Sequence, residues 1–597
     1  MLLNTPKVSL AVAPANQRSV VIIRCPPGDH LTPSAQTRPQ SNPPPSAQVP
    51  PAMEIPRIVH DEMLHQVDGP QEEHLMAVRR ASVSPRPGAG PDAAKLNGER
   101  TPLLPSADKV DVILDEEERA AAAADSLLSS WDIVRVENKR LLAVAFPMML
   151  AVMLEMFPDL ALSMMMGHTD VVHSTEILAA YQLSSLVQMM IIGGLIMGLS
   201  SAIDTMCSHA FGAKRMVELW RITQAATIVY LMCLPFITVV MCSGKPMLVA
   251  LGQDPNISDV ASKLLLVSLL LVPFCIMYAV MKSALQAQNI VLPFVLASLV
   301  SFIVSSIAAY LLAFYTPLGY IGVALGSPIG WLLKVLMVLP VVLRNRVFVE
   351  SWPGWDWSAA WARVPSIGRL GVSSVLMMTF QMVGFSFISL LAGMLPNADI
   401  LIAANGIFVS VLSLAFMPLL GICIAGAIRM GNALGAGQAR RARLISLIVM
   451  SASLSVSGVA AGIVAYIASP YARAFTPNGE TTAVATDLIK ELLPLLPLLG
   501  FAFGMQSVFR ACGKQLLCAQ LNFVCLFVLG VPLGLVFAIQ FDAGIAGLWA
   551  GNMAGTIIFA VAGIFWLRAT SWEKMAHDAK HGSRPTDFAD VDIAVAA

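Results

Sequence analysis

Charge is scarce in this chain. Asp, Glu, Lys and Arg make up 13% of the 597 residues, about half the roughly 25% of a soluble domain. The 38 basic and 38 acidic residues cancel, and no basic stretch is interleaved with aromatics, which removes a nucleic-acid partner. Histidine is also sparse, and of the nine only His209 lies near the end of an apolar segment. An intramembrane enzyme would need a nucleophile–base or metal cluster inside those segments, so that class is disfavoured and no cofactor is expected. His168, Asp170 and His173 could bind a metal, but two histidines on a short polar loop are more often just solvated. The nine cysteines lack ligand spacing, and most sit inside apolar runs (Cys207, Cys233, Cys242, Cys275, Cys423, Cys518, Cys525), as small packing residues do. Apolar residues fill the gap, at 56% of the chain with a mean hydropathy of +0.71. The sequence is that of a polytopic membrane protein.

Residues 1–130 have a different composition. TRPQSNPPPSAQVPPAM and ASVSPRPGAGPD are rich in Pro and Ser and offer little to bury, so a disordered cytosolic tail is expected. Arg18 and Arg24 precede the first acid, Asp29, a faint presequence signature, while VSLAVA is too short for a signal peptide. ERTPLL, with Glu99, Leu103 and Leu104, resembles an acidic dileucine sorting signal. That resemblance implies adaptor complexes as partners and delivery to a vacuolar or lysosomal membrane, with the plasma membrane as the alternative.

Twelve apolar segments follow, from about 140–167 to about 544–567. They divide into a six-helix lobe over 131–346, a linker over 347–366, a second lobe over 367–568 and a cytosolic tail over 569–597. Loop charge orients them. Lys214, Arg215, Arg221, Arg344, Arg346, Arg363, Arg440, Arg441, Arg443 and Lys514 fall in even-numbered loops, which places both termini in the cytosol. The sequon Asn256-Ile257-Ser258 then lies on the opposite side. The linker VFVESWPGWDWSAAWARVP breaks at Pro353 and is expected along the interface.

The first segment, RLLAVAFPMMLAVMLEMFPDLALSMMMG, carries Glu155 and Asp159 near its middle. Four residues apart, they stand on one helix face. A charge at that depth costs about 2.5–3.5 kcal/mol on insertion scales, so such residues usually titrate, bind an ion or face a cavity. The two acids should hold a proton or cation between them. The bland alternative is neutralisation by a Lys or Arg from another helix. Pro158 should kink the helix beside them. Met148, Met149, Met153, Met156, Met164, Met165 and Met166 lie on several faces, which reads mainly as packing.

MGLSSAIDTMCSHAFGAKR (197–215) recurs as LLGICIAGAIRMGNALGAGQAR (419–440). Gly212 aligns with Gly435, and the two lobes should be related by a pseudo-twofold along the membrane normal. These stretches, with LGQDPNIS, SWPGWDWSAAW, LLAGMLPN, RMGNALGAG and FRACGKQ, resemble the multidrug and toxic compound extrusion (MATE) family in its eukaryotic branch. The resemblance covers about 136–567. It implies an all-α antiporter that exports organic cations or metabolites in exchange for protons or sodium by alternating access.

The chain departs from the family pattern at its acids. Where eukaryotic members usually carry acids in the second lobe, this chain has Gln381, Ser386, Ser410 and Leu499. The first-helix Asp of bacterial and archaeal relatives falls at Leu162, one turn from Asp159. Coupling is therefore expected on Glu155 and Asp159, with Gln381, Ser386 and Ser410 lining the substrate cavity. The rival readings are an uncoupled facilitator and a lipid-linked sugar flippase; a flippase cavity would be rich in Arg and Lys, and this one is expected to be poor in them. Asp204 and Arg429 occupy near-equivalent helix ends and read as a cytosolic gate or as a local structural pair. Lys282 and Arg510 read as snorkelling anchors. The expected partners are a cationic or amphiphilic small molecule and membrane lipid, with the chain monomeric.

Overall fold

A computed structural model describes residues 128–169, 174–392, 398–475 and 479–581. The first lobe comprises α1 (Ser130–Met166), α2 (Glu176–Gly212), α3 (Met216–Cys242), α4 (Pro255–Ala287), α5 (Leu292–Phe314) and α6 (Tyr320–Arg344). The second comprises α7 (Val364–Ala392), α8 (Ala398–Gly435), α9 (Ala439–Phe475), α10 (Gly479–Glu491 with Leu495–Ala511), α11 (Gln515–Gln540) and α12 (Gly544–Ala569). Among the described residues eleven helices are long and apolar enough to cross a bilayer, and α10 makes a twelfth if its halves, bent by 53°, form one span. Pro494 stands at that break, where it removes a backbone donor. By contrast α1 runs uninterrupted through Pro147 and Pro158. A single π turn widens α2 at Met189–Gly193, and a longer π stretch widens α11 at Phe523–Gly530.

Burial follows the solvent a bilayer provides. Val239, Val459 and Ile539 stand largely exposed on the outer surface, while small polar side chains fill the interior. On α5, Ser298, Ser301 and Ser305 are buried, and the Ser301 hydroxyl donates to the Gly330 carbonyl on α6 at 2.8 Å. Small residues let helices approach closely where lipid supplies no hydrophobic drive.

The lobes meet by symmetric contacts. A β-carbon on Gly212 would lie 2.1 Å from the Asn432 carbonyl oxygen, and one on Gly435 would lie 2.2 Å from that of His209. Gly212 to Gly435 and His209 to Asn432 are the same step along the chain (435 − 212 = 432 − 209). The side chains repeat the relation. The His209 ring Nε2 lies 2.8 Å from the Ala511 carbonyl, and the Asn432 amide donates to that of Ala287 at 3.1 Å. These contacts lie at the end of the bundle where α1 begins, the proximal face. Further toward the middle, Gly421 meets the Met149 backbone and Gly198 that of Val375. The lobes are sealed over this proximal half.

The linker is built against α3. Its short helices, Arg346–Ser351 and Trp357–Trp361, flank Pro353 and Gly354, which takes φ +79°. The Gln224 amide donates to the Gly354 carbonyl at 2.7 Å, and the Trp220 indole donates to Ser351 at 2.9 Å. Arg363 pairs with Glu218. Trp355, Trp357 and Trp361 remain exposed, as an interfacial segment requires. Residues after α12 begin with a further helix, α13 (Trp572–His581), which packs on α8 and α9 with Trp572, Ala576 and Lys580 buried.

Candidate transport site

Glu155 and Asp159 have different surroundings. Lys282 on α4 places its ammonium 3.2 Å from Glu155 Oε1 and 3.4 Å from Oε2, and the Tyr278 hydroxyl donates to Oε1 at 3.1 Å. Tyr278 and Lys282, four residues apart, share one face of α4. From α6, Lys334 brings a second ammonium, 4.2 Å over the Trp331 ring and 5.7 Å from that of Tyr278. Lys334 is only 4% exposed and makes no direct hydrogen bond or ion pair among the described residues. Tyr278 and Trp331 meet edge to face with centroids 5.6 Å apart. Two carboxylates and two ammoniums thus converge, formally neutral, inside the first lobe.

Asp159 occupies the outer position of this cluster. It is exposed, and it lies within electrostatic reach of Lys334 and Tyr181 without bonding to either. It stands about 15 Å beyond Met149 along α1, past the sealed half. Leu162, where the family resemblance puts the bacterial acid, is fully buried, whereas Asp159 is exposed.

These contacts correct three expectations. Glu155 is neutralised by a lysine from another helix, the bland alternative. Lys282 is that lysine rather than a snorkelling anchor. The first-lobe site is also not poor in basic groups, because Lys282 and Lys334 both turn into it.

The expected Asp204–Arg429 gate is rearranged too. Arg429 reaches α1 instead, where its guanidinium lies 2.7 Å from Glu137 Oε2. Arg441 at 3.7 Å and Arg140 at 3.2 Å converge on Glu137 Oε1, and that side chain is 2% exposed. Sequence reasoning missed Glu137 because it precedes the apolar run. Asp204 lies beside Ser283 and faces Arg510 across a small cavity between the lobes. Arg510 is buried, not snorkelling.

In the second lobe Gln381 is buried and the Ser410 hydroxyl lies 2.7 Å from that of Tyr471. Ser386 lies on α7 with its side chain outside the described residues. Leu499 is buried. Glu99, Leu103, Leu104, Asp170 and His173 also lie outside the described residues. The His168 Nδ1 lies 2.8 Å from the Met164 carbonyl. Among the described residues no group of three or more His, Cys, Asp or Glu could hold a metal. Asn256 is exposed in the first turn of α4, whereas Ser258 of the same sequon is buried.

The family model described as MatE matches this chain twice, over residues 147–311 and 373–536. The chain belongs to the MatE family. Gly198 and Gly421, which meet Val375 and Met149, are the same step apart as Gly212 and Gly435 (421 − 198 = 435 − 212), so they form a second symmetric pair. Among curated relatives, Protein DETOXIFICATION 39 of Arabidopsis thaliana is 28% identical over 489 residues, 81% of this chain and 94% of its own length. Multidrug and toxin extrusion protein 1 of Xenopus tropicalis is 26% identical over 448 residues, 74% of this chain and 76% of its own. Among solved structures, the eukaryotic MATE transporter AtDTX14 superposes with a TM-score of 0.69 at 22% identity, covering 75% of this chain and 99% of that one. The Vibrio cholerae MATE transporter VcmN in the bent form gives 0.67 at 21% identity, over 75% and 99%. The resemblance read in the sequence is therefore correct, and this MatE-family chain is a multi-pass membrane transporter with the two-lobe fold.

Proposed function

We propose that this transporter exports an amphiphilic small molecule, cationic or neutral, from the cytosol in exchange for protons, with Asp159 as the proton-carrying residue. The observation that carries this reading is the division of labour on α1. Glu155 is held by Lys282 and Tyr278, while Asp159 is exposed and has no direct counter-ion among the described residues. An acid at membrane depth without a bonded partner is available to exchange a proton. Two ammoniums nearby oppose a compact metal cation at the same place, which favours protons over sodium. The basic loops on the proximal face favour the cytosol on that side. Glu99, Leu103 and Leu104 favour a vacuolar or lysosomal membrane reached through adaptor complexes, and the chain works as a monomer.

A second reading, an uncoupled facilitator, is favoured by Gln381, Ser410 and Leu499 standing where family members carry acids. Proteoliposomes separate the two. With a pH gradient imposed and a fluorescent organic cation as probe, the parent should transport with the gradient. Asp159→Asn should lose that dependence and Glu155→Gln should retain it. Transport indifferent to both gradient and Asp159→Asn would establish the facilitator.

A further inference from the structure

A cavity of about 20 Å³ lies within the sealed proximal half, lined by Ser201, Asp204 and Thr205 of α2, Ile424 and Ile428 of α8, and Arg510 of α10. It therefore spans the lobe boundary. Three polar atoms at its wall have no partner among the described residues: Ser201 Oγ, Asp204 Oδ1 and Arg510 Nε. Arg510 and Ser201 are each 6% exposed. The carboxylate belongs to one lobe and the guanidinium to the other, yet no direct ion pair joins them. Around them, Thr205 donates to the Arg510 carbonyl at 2.9 Å, and Gln515 donates to the Thr205 hydroxyl at 3.2 Å, so the walls are fixed by inter-lobe bonds.

Buried polar atoms left unmatched are costly, and a cavity of this size, though largely apolar in its walls, has room for one water that can bond to these three atoms. The alternatives fit less well. Arg510 opposes a cation, Asp204 opposes an anion, and the volume excludes an organic group. The site is also asymmetric. The pseudo-twofold sends Asp204 to Ala427 (427 − 204 = 435 − 212), so only one of the two equivalent places is charged.

We propose that this cavity is an ordered-water site in which water links the Asp204 carboxylate to the Arg510 guanidinium, and that this link helps hold the proximal face shut. Lobe separation on that side must carry α2 away from α8 and α10, which divides the cavity and strands both charges. The link is independent of which residue carries the coupling proton.

The test uses the full chain in lipid nanodiscs. A cryo-EM map that resolves water should show density within hydrogen-bonding distance of Asp204 Oδ1 and Arg510 Nε. In parallel, maleimide labelling of the native cysteines is read by mass spectrometry. Cys207 is buried three residues after Asp204 on α2, Cys512 is buried two residues after Arg510, Cys275 is buried inside the first lobe, and Cys242 is exposed. Asp204→Asn and Arg510→Gln should each raise labelling of Cys207 and Cys512 on the order of tenfold, the scale of a lost charged hydrogen bond. Cys275 should stay protected, which shows that the lobe has not unfolded. A dry cavity, a direct Asp204–Arg510 bond, or unchanged labelling in both folded variants overturns the proposal. If either variant fails to fold, the map of the parent still decides it.

Discussion

Lys282 of α4 holds its ammonium 3.2 Å from the Glu155 carboxylate of α1, and this bond gives the two acids of α1 different surroundings. In the proposed mechanism Glu155 is structural. Lys282→Met should leave its carboxylate with Tyr278 alone at membrane depth and destabilise the first lobe by about 1–3 kcal/mol. The lower half of that range is expected, because the two side chains are 19% and 23% exposed. Removing both charges, as Glu155→Gln with Lys282→Met, should recover most of the loss. A double-mutant cycle on the unfolding midpoint in detergent checks this. Losses that simply add would show that the bond does not matter.

Lys334 has no bonded acid among the described residues, and its charge acts at a distance. A positive neighbour favours the ionised form of a carboxylate. Replacing it with an uncharged residue therefore favours the protonated form of the nearby acid, and half-maximal transport should move to higher pH. Lys334→Met should show that displacement, while Lys334→Arg, which keeps the charge over Trp331, should stay close to the parent. Initial rates across a pH series measure it. Equal profiles for the two variants would reduce Lys334 to a packing residue.

The fold was legible because its signals are periodic and repeated. Long apolar runs gave the helices, and Gly212 with Gly435 gave the twofold. The charge partners were not legible, for a physical reason. Glu155 and Asp159 stand out because both lie on one helix, whereas their counter-charges come from α4 and α6, far along the chain. A trace of them existed. Tyr278 with Lys282 and Trp331 with Lys334 carry the four- and three-residue spacings that put both members on one helix face. Lys282 lies near the end of its apolar run, which made a snorkelling anchor the simpler reading. Arg429 was matched to Asp204 by symmetry of position, but the nearer acid in space, Glu137, belongs to the stretch of α1 before the apolar core.

Glu137 is the point where three arginines converge at the proximal face. Its carboxylate is buried, so removing Arg429, the closer of two arginines that reach it from the other lobe, leaves a charge with Arg140 and the longer inter-lobe contact to Arg441. Arg429→Gln should cost about 3–5 kcal/mol if that charge stays buried. The protein can reduce the cost by separating the lobes and hydrating Glu137. Arg429→Gln is therefore expected to show more hydrogen exchange at the proximal ends of α1 and α8 than at their distal ends. Uniform exchange along both helices would argue against an inter-lobe clamp.

Gly212 and Gly435 should be interchangeable in effect, because the twofold sets each against the equivalent backbone carbonyl of the other lobe, that of Asn432 or His209. A side chain at either position meets a backbone carbonyl, which cannot rotate away. The lobes must then part by enough to admit it, and only the proximally sealed state contains that contact. Gly212→Val and Gly435→Val should both disfavour the sealed state. Gly252→Ala is a useful contrast, since it meets no neighbour but takes φ +83°, so it strains only its own turn. Pulsed-EPR distances between spin labels on the proximal ends of α2 and α8 should lengthen in the two valine variants and stay unchanged in Gly252→Ala. If only one valine variant lengthened them, the two contacts would not be equivalent, and the seal would depend on one lobe more than the other.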